Sequence, residues 1–254
     1  MSAPYYQDDL VTLYHGDFRD HLDILAKSKA AAIITDPPYG ETSLNWDVWP
    51  TGWLAEAAKI TDNLWCFGSF RMFHERAAEF AQWKLAQDTV WEKHNGSGFH
   101  NDRFKRVHEF AVQWYLGEWG ALYNEPPKTA DAVRKIVRRK ERPTHMGEIA
   151  GTNYESTDGG DRIMRSVIKL RSMHGRAINE TEKPVQLVGQ YITCSVPSGD
   201  LVVDLFAGSA STGVAARQLG RRALLFEKRE SQCEGAARRL ERETAQAFDF
   251  EAIT

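Results

Sequence analysis

Cysteine is scarce in this sequence. Cys66, Cys194 and Cys233 are the only three among 254 residues, they lie far apart, and they form no CxxC pair. That usage argues against a disulfide framework and against a thiolate metal site; no metal is expected, and a reducing cytoplasm, bacterial or that of a phage host, is the expected home. No apolar run approaches the roughly 20 residues that a membrane span needs. Residues 1–9 are polar and acidic where a secretory leader is basic and then apolar, so no leader is read there. Internal repeats and low-complexity tracts are missing too, which sets aside rods and collagen-like chains. The chain is 42% hydrophobic and 26% charged, ordinary for a folded domain that buries roughly 70–75% of its unfolded surface.

A positive net charge is also absent, and the value of −3 argues at first against a polyanionic partner. The average conceals an uneven distribution. Between positions 125 and 145, seven basic residues (Lys128, Arg134, Lys135, Arg138, Arg139, Lys140 and Arg142) face three acids, an excess of +4 that leaves −7 on the remainder. A basic insert on an acidic body is the pattern that matters for nucleic acid.

Three textures follow along the chain. In residues 1–117, short apolar runs at 10–14, 30–34, 63–67, 89–91 and 110–115 predict strands, and helices are expected over 17–27, 53–60 and 73–83. All eight tryptophans fall between Trp46 and Trp119 and read as core and rim packing. Residues 118–176 are polar, basic and rich in turn formers, an irregular insert in the α/β rhythm. Residues 177–254 return to it: a helix from Lys183-Pro184 to about 194, a strand at 201–206, a helix at 211–219 closed by Gly220, a strand at 222–226 and a charged helix at 233–248. Alternation of this kind predicts a mostly parallel, doubly wound sheet.

Two loops carry the chemistry. After the strand at 201–206 comes Ala207-Gly208-Ser209-Ala210-Ser211-Thr212-Gly213. This is a small-residue turn into a helix, where a ligand can approach main-chain amides and the helix N-terminus. Glu227 ends the next strand, where an acid can accept hydrogen bonds from both ribose hydroxyls of a nucleoside. The turn is not GxGxxG, and Asp204 stands beside it. A pyrophosphate would be repelled there, whereas an ammonium and a sulfonium would be welcome, which points to S-adenosylmethionine rather than NAD.

The second loop, Asp36-Pro37-Pro38-Tyr39-Gly40, ends the apolar strand at 30–34. Two prolines fix φ and remove two N–H donors. The loop therefore offers acceptors, the Asp36 carboxylate and the Pro37 carbonyl, with a ring at Tyr39. Acceptors beside a ring suit an exocyclic amine on a planar base. Gripping both N–H bonds favours a pyramidal nitrogen whose lone pair can be aimed at a methyl group, and stacking on Tyr39 is worth roughly 1–3 kcal/mol.

On these residues the chain resembles the amino-group DNA methyltransferases (N6-adenine and N4-cytosine), in the permuted beta order with the catalytic motif first. Asp36-Pro37-Pro38-Tyr39 matches the catalytic motif and Asp204-Leu205-Phe206-Ala207-Gly208-Ser209 the cofactor motif. Thr181-Glu182-Lys183-Pro184 matches the segment that in the family lies along the cofactor, and Gly16-Asp17 the element near its adenine. Val90-Trp91-Glu92-Lys93 through His108-Glu109 resembles the element near the target base. The resemblance implies a Rossmann-like α/β fold: catalytic half 1–117, target-recognition region 118–176, cofactor half 177–254. It implies S-adenosylmethionine as methyl donor and S-adenosylhomocysteine as product. The cofactor set becomes Asp17, Phe18, Asp36, Lys183, Pro184, Asp204, Phe206, Ala207, Gly208, Ser209, Ser211, Thr212, Glu227 and Lys228; Asp17 also suits a helix N-cap. Double-stranded DNA is the implied partner, held by the basic run of the insert. A cognate restriction endonuclease is a candidate partner, and monomer and homodimer both stay open. Asp in the first motif position favours adenine N6 over cytosine N4. An RNA amino-group methyltransferase or a non-catalytic subunit are the rivals; a C5-cytosine enzyme is set aside because no Cys follows a Pro.

Overall fold

Runs of apolar residues become central strands here because both faces of the sheet are covered. The computed structural model describes residues 3–97, 101–138, 153–172 and 182–251. It divides into two units, Met1–Glu125 with Ser166–Thr254, and Pro126–Arg165.

The larger unit begins with β1 (Tyr6–Gln7), β2 (Val11–His15), α1 (Leu22–Leu25), β3 (Ala32–Thr35), α2 (Trp53–Ala57) and β4 (Asn63–Gly68). It continues with α3 (Phe70–Glu75), α4 (Ala77–Phe80), β5 (Lys84–Ser97) and β6 (Arg106–Tyr115). The smaller unit holds β7 (Lys128–Thr129), β8 (Lys135–Arg138), β9 (Asn153–Ser156) and β10 (Arg162–Ile163), paired antiparallel as β7 with β10 and β8 with β9. The larger unit resumes with β11 (Val167–Lys169), α5 (Val185–Ser195), β12 (Leu201–Asp204), α6 (Ser211–Gln218), β13 (Arg222–Glu227) and α7 (Glu230–Glu251).

One nine-stranded sheet runs β1-β2-β13-β12-β3-β4-β6-β5-β11. The five strands from β2 to β4 are parallel, as are β5 and β11, while β6 runs against both its neighbours. All residues of β3 and β4 are buried. The register pairs Val202 with Ala32 and Val203 with Ile33, so β12 lies directly beside β3 despite their distance in sequence. Their carboxyl ends open on the same rim, where open α/β sheets bind ligands. Gly213 lets α6 lie close on the sheet: a Cβ there would meet Leu225 Cδ1 at 2.7 Å and Val11 Cγ1 at 3.1 Å. Trp49, Trp53, Trp65, Trp83 and Trp91 are buried, whereas Trp119 is exposed.

Several expected elements change. The helix read over 17–27 is a 3-10 turn (Phe18–His21) followed by the single turn of α1. Asp17 caps that 3-10 turn, its carboxylate accepting from the Arg19 amide at 3.1 Å. The helix read over 73–83 starts earlier, because Ser69 caps it by accepting from the Met72 amide at 2.9 Å, and breaks at Arg76. The strand at 89–91 is the middle of fourteen-residue β5; its alternating polar positions hid its length. Pro184 stands at the N-cap of α5 rather than inside its first turn.

Candidate active site

The site forms where β3 and β12 end together. Thr35 Oγ1 donates to Asp204 Oδ1 at 2.6 Å, joining the two strand ends. The next residue after Thr35 is Asp36, half-buried and turned onto a group of charges. Tyr39 donates its hydroxyl to Asp36 Oδ1 at 2.5 Å, and the Lys183 ammonium donates to Oδ2. Lys183 Nζ also lies 3.3 Å from Glu109 Oε2, an ion pair outside hydrogen-bond geometry, and Glu109 Oε1 accepts from Lys93. Asp36, Lys183, Glu109 and Lys93 thus alternate in sign along one largely buried line, with Lys183 the most buried.

Burial sets the protonation of this line, and the partners correct it. Burial pushes the Asp36 carboxyl above the ordinary carboxylate range, Lys183 pulls it back, and Glu109 adds to the push. Burial alone would also raise Glu109, but the ammoniums of Lys183 and Lys93 more than reverse this and bring it to about 2. Lys183 stays charged, because Asp36 and Glu109 outweigh its desolvation. Burial and the same two carboxylates keep the Tyr39 hydroxyl protonated.

The turn after β12 is held from within. Asp204 Oδ2 accepts from Thr212 Oγ1 at 2.6 Å, and Oδ1 takes the Phe206 amide at 3.1 Å besides Thr35. Its carboxylate is therefore fully engaged by the chain, and burial raises it to about 6. Gly208 adopts φ +51°, and its amide donates to Glu227 Oε2 at 2.9 Å. Glu227 Oε1 accepts from the Arg229 amide at 2.8 Å. Ser211 Oγ donates to the Lys183 carbonyl at 2.8 Å, so the start of α6 fixes the backbone that presents Lys183 to Asp36. Ala210, at φ +61°, holds the left-handed conformation just before α6.

One cleft of about 1100 Å³ is lined by both loops. Asp36, Pro37, Pro38 and Tyr39 form part of its wall, with Lys183 beside them. Asp17, Phe18, Asp204, Phe206, Ala207, Gly208, Ser209, Ser211, Thr212, Glu227 and Lys228 also line it; Pro184 does not. Residue 36 and the glycine at 208, far apart in the chain, thus share a cavity. Phe206 meets Phe18 and Trp53 edge-on at 5.7 and 5.6 Å, and Phe206 and Phe18 give the cleft an apolar stretch of wall.

Sequence reasoning missed part of this cavity. Trp46 lines it and carries the Arg229 guanidinium 4.4 Å from its ring. Asp47 holds the loop that bears Trp46, accepting from the amides of Gly40 at 2.8 Å, Glu41 at 3.0 Å and Thr42 at 2.7 Å. These amides hold its carboxyl below the usual range against the upward push of partial burial. The signal was present: a tryptophan and an acid within a turn-rich stretch directly after the catalytic motif.

The basic run is only partly visible. Lys128, Arg134, Lys135 and Arg138 are exposed in the smaller unit. Arg139, Lys140, Arg142 and Thr181 lie outside the described residues. Among the described residues no group of His, Cys, Asp or Glu could hold a metal ion, and no helix is long and apolar enough to cross a membrane.

Known proteins share this architecture. The Type II methyltransferase M2.DpnII of Streptococcus pneumoniae is 24% identical over 272 residues, covering 96% of this chain and 94% of that protein. The crystal structure of the M1.HpyAVI–SAM complex matches with a TM-score of 0.62 at 22% identity, over 91% of this chain and 100% of the other. The cytosine-N4-specific PvuII DNA methyltransferase matches with a TM-score of 0.60 at 16% identity, over 92% and 87%. At such identities the solved structures speak to the fold. The family model described as DNA methylase, for N6 and N4 methyltransferases, matches residues 30–238, the span that holds both the Asp36 and the Asp204 loops. The chain belongs to the DNA methylase family, the amino-group methyltransferases of adenine N6 and cytosine N4.

Proposed function

We propose that this family member methylates adenine N6 in duplex DNA, with Asp36, Pro37, Pro38 and Tyr39 as the catalytic loop. The observation that carries the reading is the shared cleft: Asp36 and Gly208 line one cavity, and the 2.6 Å bond from Thr35 to Asp204 joins their strands. The methyl donor of the family is S-adenosylmethionine. The residues fit it: a cleft of about 1100 Å³ exceeds a usual single-ligand pocket and has room for the donor and a base together. Gly208, at φ +51°, lines that space, and Phe206 offers it an apolar face.

Bound there, S-adenosylmethionine supplies a methyl group on a positive sulfur. The protein holds the amine that receives it. Asp36 and the Pro37 carbonyl accept the two N–H bonds, aiming the nitrogen lone pair. Asp36 Oδ1 already accepts the Tyr39 hydroxyl and keeps a second lone pair for the amine N–H, while the Tyr39 ring stacks on the base. Lys183 keeps Asp36 an anion during the approach. After transfer the nitrogen is acidic, and Asp36, raised by burial, takes its proton. In-line placement of both reactants can supply about 7–11 kcal/mol.

Asp rather than Ser before Pro37-Pro38-Tyr39 favours adenine. Asp17, Phe18, Lys228 and the Glu227 carboxylate are assigned to the donor's nucleoside end, and Lys128, Arg134, Lys135 and Arg138 to DNA phosphates. The insert read at residues 118–176 is narrower as a structural unit, because β11 (Val167–Lys169) belongs to the main sheet, and we take its separate part, Pro126–Arg165, as the target-recognition region. The Type II relative makes a paired endonuclease the partner to look for, in the bacterial cytoplasm. Methylation of plasmid DNA with modified bases mapped by position is expected to show N6-methyladenine in a fixed context. Asp36→Ala should lose at least roughly a hundredfold in rate, the contribution typical of a positioned proton acceptor. N4-methylcytosine would move the target base, and full activity in Asp36→Ala would remove the mechanism.

A further inference from the structure

Phe104 is fully exposed in the connection between β5 and β6. Single exposed apolar residues are ordinary. This one differs in its setting. Arg103, Lys105 and Arg106 flank it, and all three are exposed. Arg103 pairs with Asp102 at 2.7 Å, and Arg106 reaches Glu41 at 3.3 Å. Asn95, Gly96 and Arg106 line the catalytic cleft. The two arms close tightly there: a Cβ at Gly96 would fall 2.5 Å from Lys105 Cγ. Phe104 therefore stands two residues, at most about 7 Å of chain, from the cleft wall.

We propose that residues 101–107 are a second DNA-contacting element, on the catalytic unit itself and separate from the basic run at 128–142. Phe104 enters the base stack where the target base leaves it, and Arg103, Lys105 and Arg106 hold the flanking phosphates. The physical need is direct. A base that reaches Asp36 abandons its stacking partners. A phenyl ring can replace them without regard to sequence, because every base has a π-face. Cations on both sides of the ring match the phosphates on both sides of the gap. The proposal rests on the DNA-methylating reading given above.

The test uses the full chain and a duplex built around the site that the wild type methylates in plasmid DNA. A second duplex carries an abasic position opposite the target, so that the target base is already unpaired. Phe104→Ala should slow transfer to the paired duplex roughly tenfold or more, the cost of lost stacking. On the abasic duplex it should stay within about twofold of the wild type, because little flipping energy remains to be supplied. Arg103→Ala/Lys105→Ala should flatten the salt dependence of binding by about one to two units of log–log slope. Unchanged transfer by Phe104→Ala on the paired duplex overturns the proposal. Equal slowing on both duplexes overturns it too, since the ring would then serve folding, general binding or a protein partner. Failure of the wild type itself on both duplexes sinks the methyltransferase reading, and the role of residues 101–107 with it.

Discussion

Replacing Lys183 with methionine tests the charge line most directly. In the wild type, its ammonium faces Asp36 and lies 3.3 Å from Glu109. Methionine keeps the length of the side chain and removes the charge. Glu109 retains Lys93, but Asp36 keeps only the neutral Tyr39 hydroxyl. Leaving a buried charge without its partner costs about 3–5 kcal/mol, and this loss should appear near pH 8 in urea unfolding. The sign of the pH dependence follows. Without Lys183 the folded Asp36 is raised further above its unfolded value of roughly 4. Its contribution is then intact below that value and lost as pH rises through the higher folded one. The variant should therefore recover the deficit progressively as pH falls toward 4 and Asp36 takes up its proton. Single-turnover methyl transfer should fall as well, with its acid limb shifted to higher pH than in the wild type, because Asp36 must be an anion to act. Lys183→Arg, which keeps the charge, should restore the pH profile in part. A Lys183→Met deficit that is absent at pH 8, or identical at pH 4 and 8, would refute the reasoning.

Two further outcomes are expected. Asp204 titrates at about 6 when folded, above its usual 3.8, so wild-type stability contributed by this group is full below about 4 and declines as pH rises through 6. Asp204→Asn should remove that decline, worth about 3 kcal/mol for a shift of about two units; thermal unfolding between pH 3.5 and 7.5 measures it, and an unchanged slope contradicts the assignment. Tyr39→Phe removes the 2.5 Å hydroxyl bond to Asp36 but keeps the ring, so kcat should stay within about threefold, while Tyr39→Ala should lose roughly tenfold or more with the stacking face. Equal losses in the two variants would show that the hydroxyl, not the ring, is the working part.

Both motifs were legible because each is local. Asp36-Pro37-Pro38-Tyr39 and the turn from Asp204 to Gly208 each end an apolar strand, and their chemistry can be read from residue types in order. The line through Lys183 was not legible in the same way. Lys183 read as a companion of the donor, whereas its ammonium turns to Asp36 and Glu109. The resemblance sets Lys93 and Glu109 near the target base, but the contact of Glu109 with Lys183, between residues far apart in sequence, is a non-local fact that no spacing records. The same holds for Trp46 over Arg229, which joins a loop from one end of the chain to a residue near the other. Short helices failed for another reason. Their caps, Asp17 and Ser69, decide where they start, and apolar periodicity sees neither. The β5 strand extends beyond its apolar centre because β6 pairs with it along almost its whole length, including two irregularities of register.

The Thr35 hydroxyl has a consequence for how the enzyme is loaded. It links the strand that leads into Asp36 to the Asp204 carboxylate, which shapes the turn after β12. Any tightening at one end that travels through this bond must return with equal free energy from the other, because linkage between two binding equilibria is reciprocal. A nucleic acid seated at residue 36 should then retain the small molecule beside residue 208 by the same factor with which that molecule retains the nucleic acid, and Thr35→Val is the change that would uncouple them.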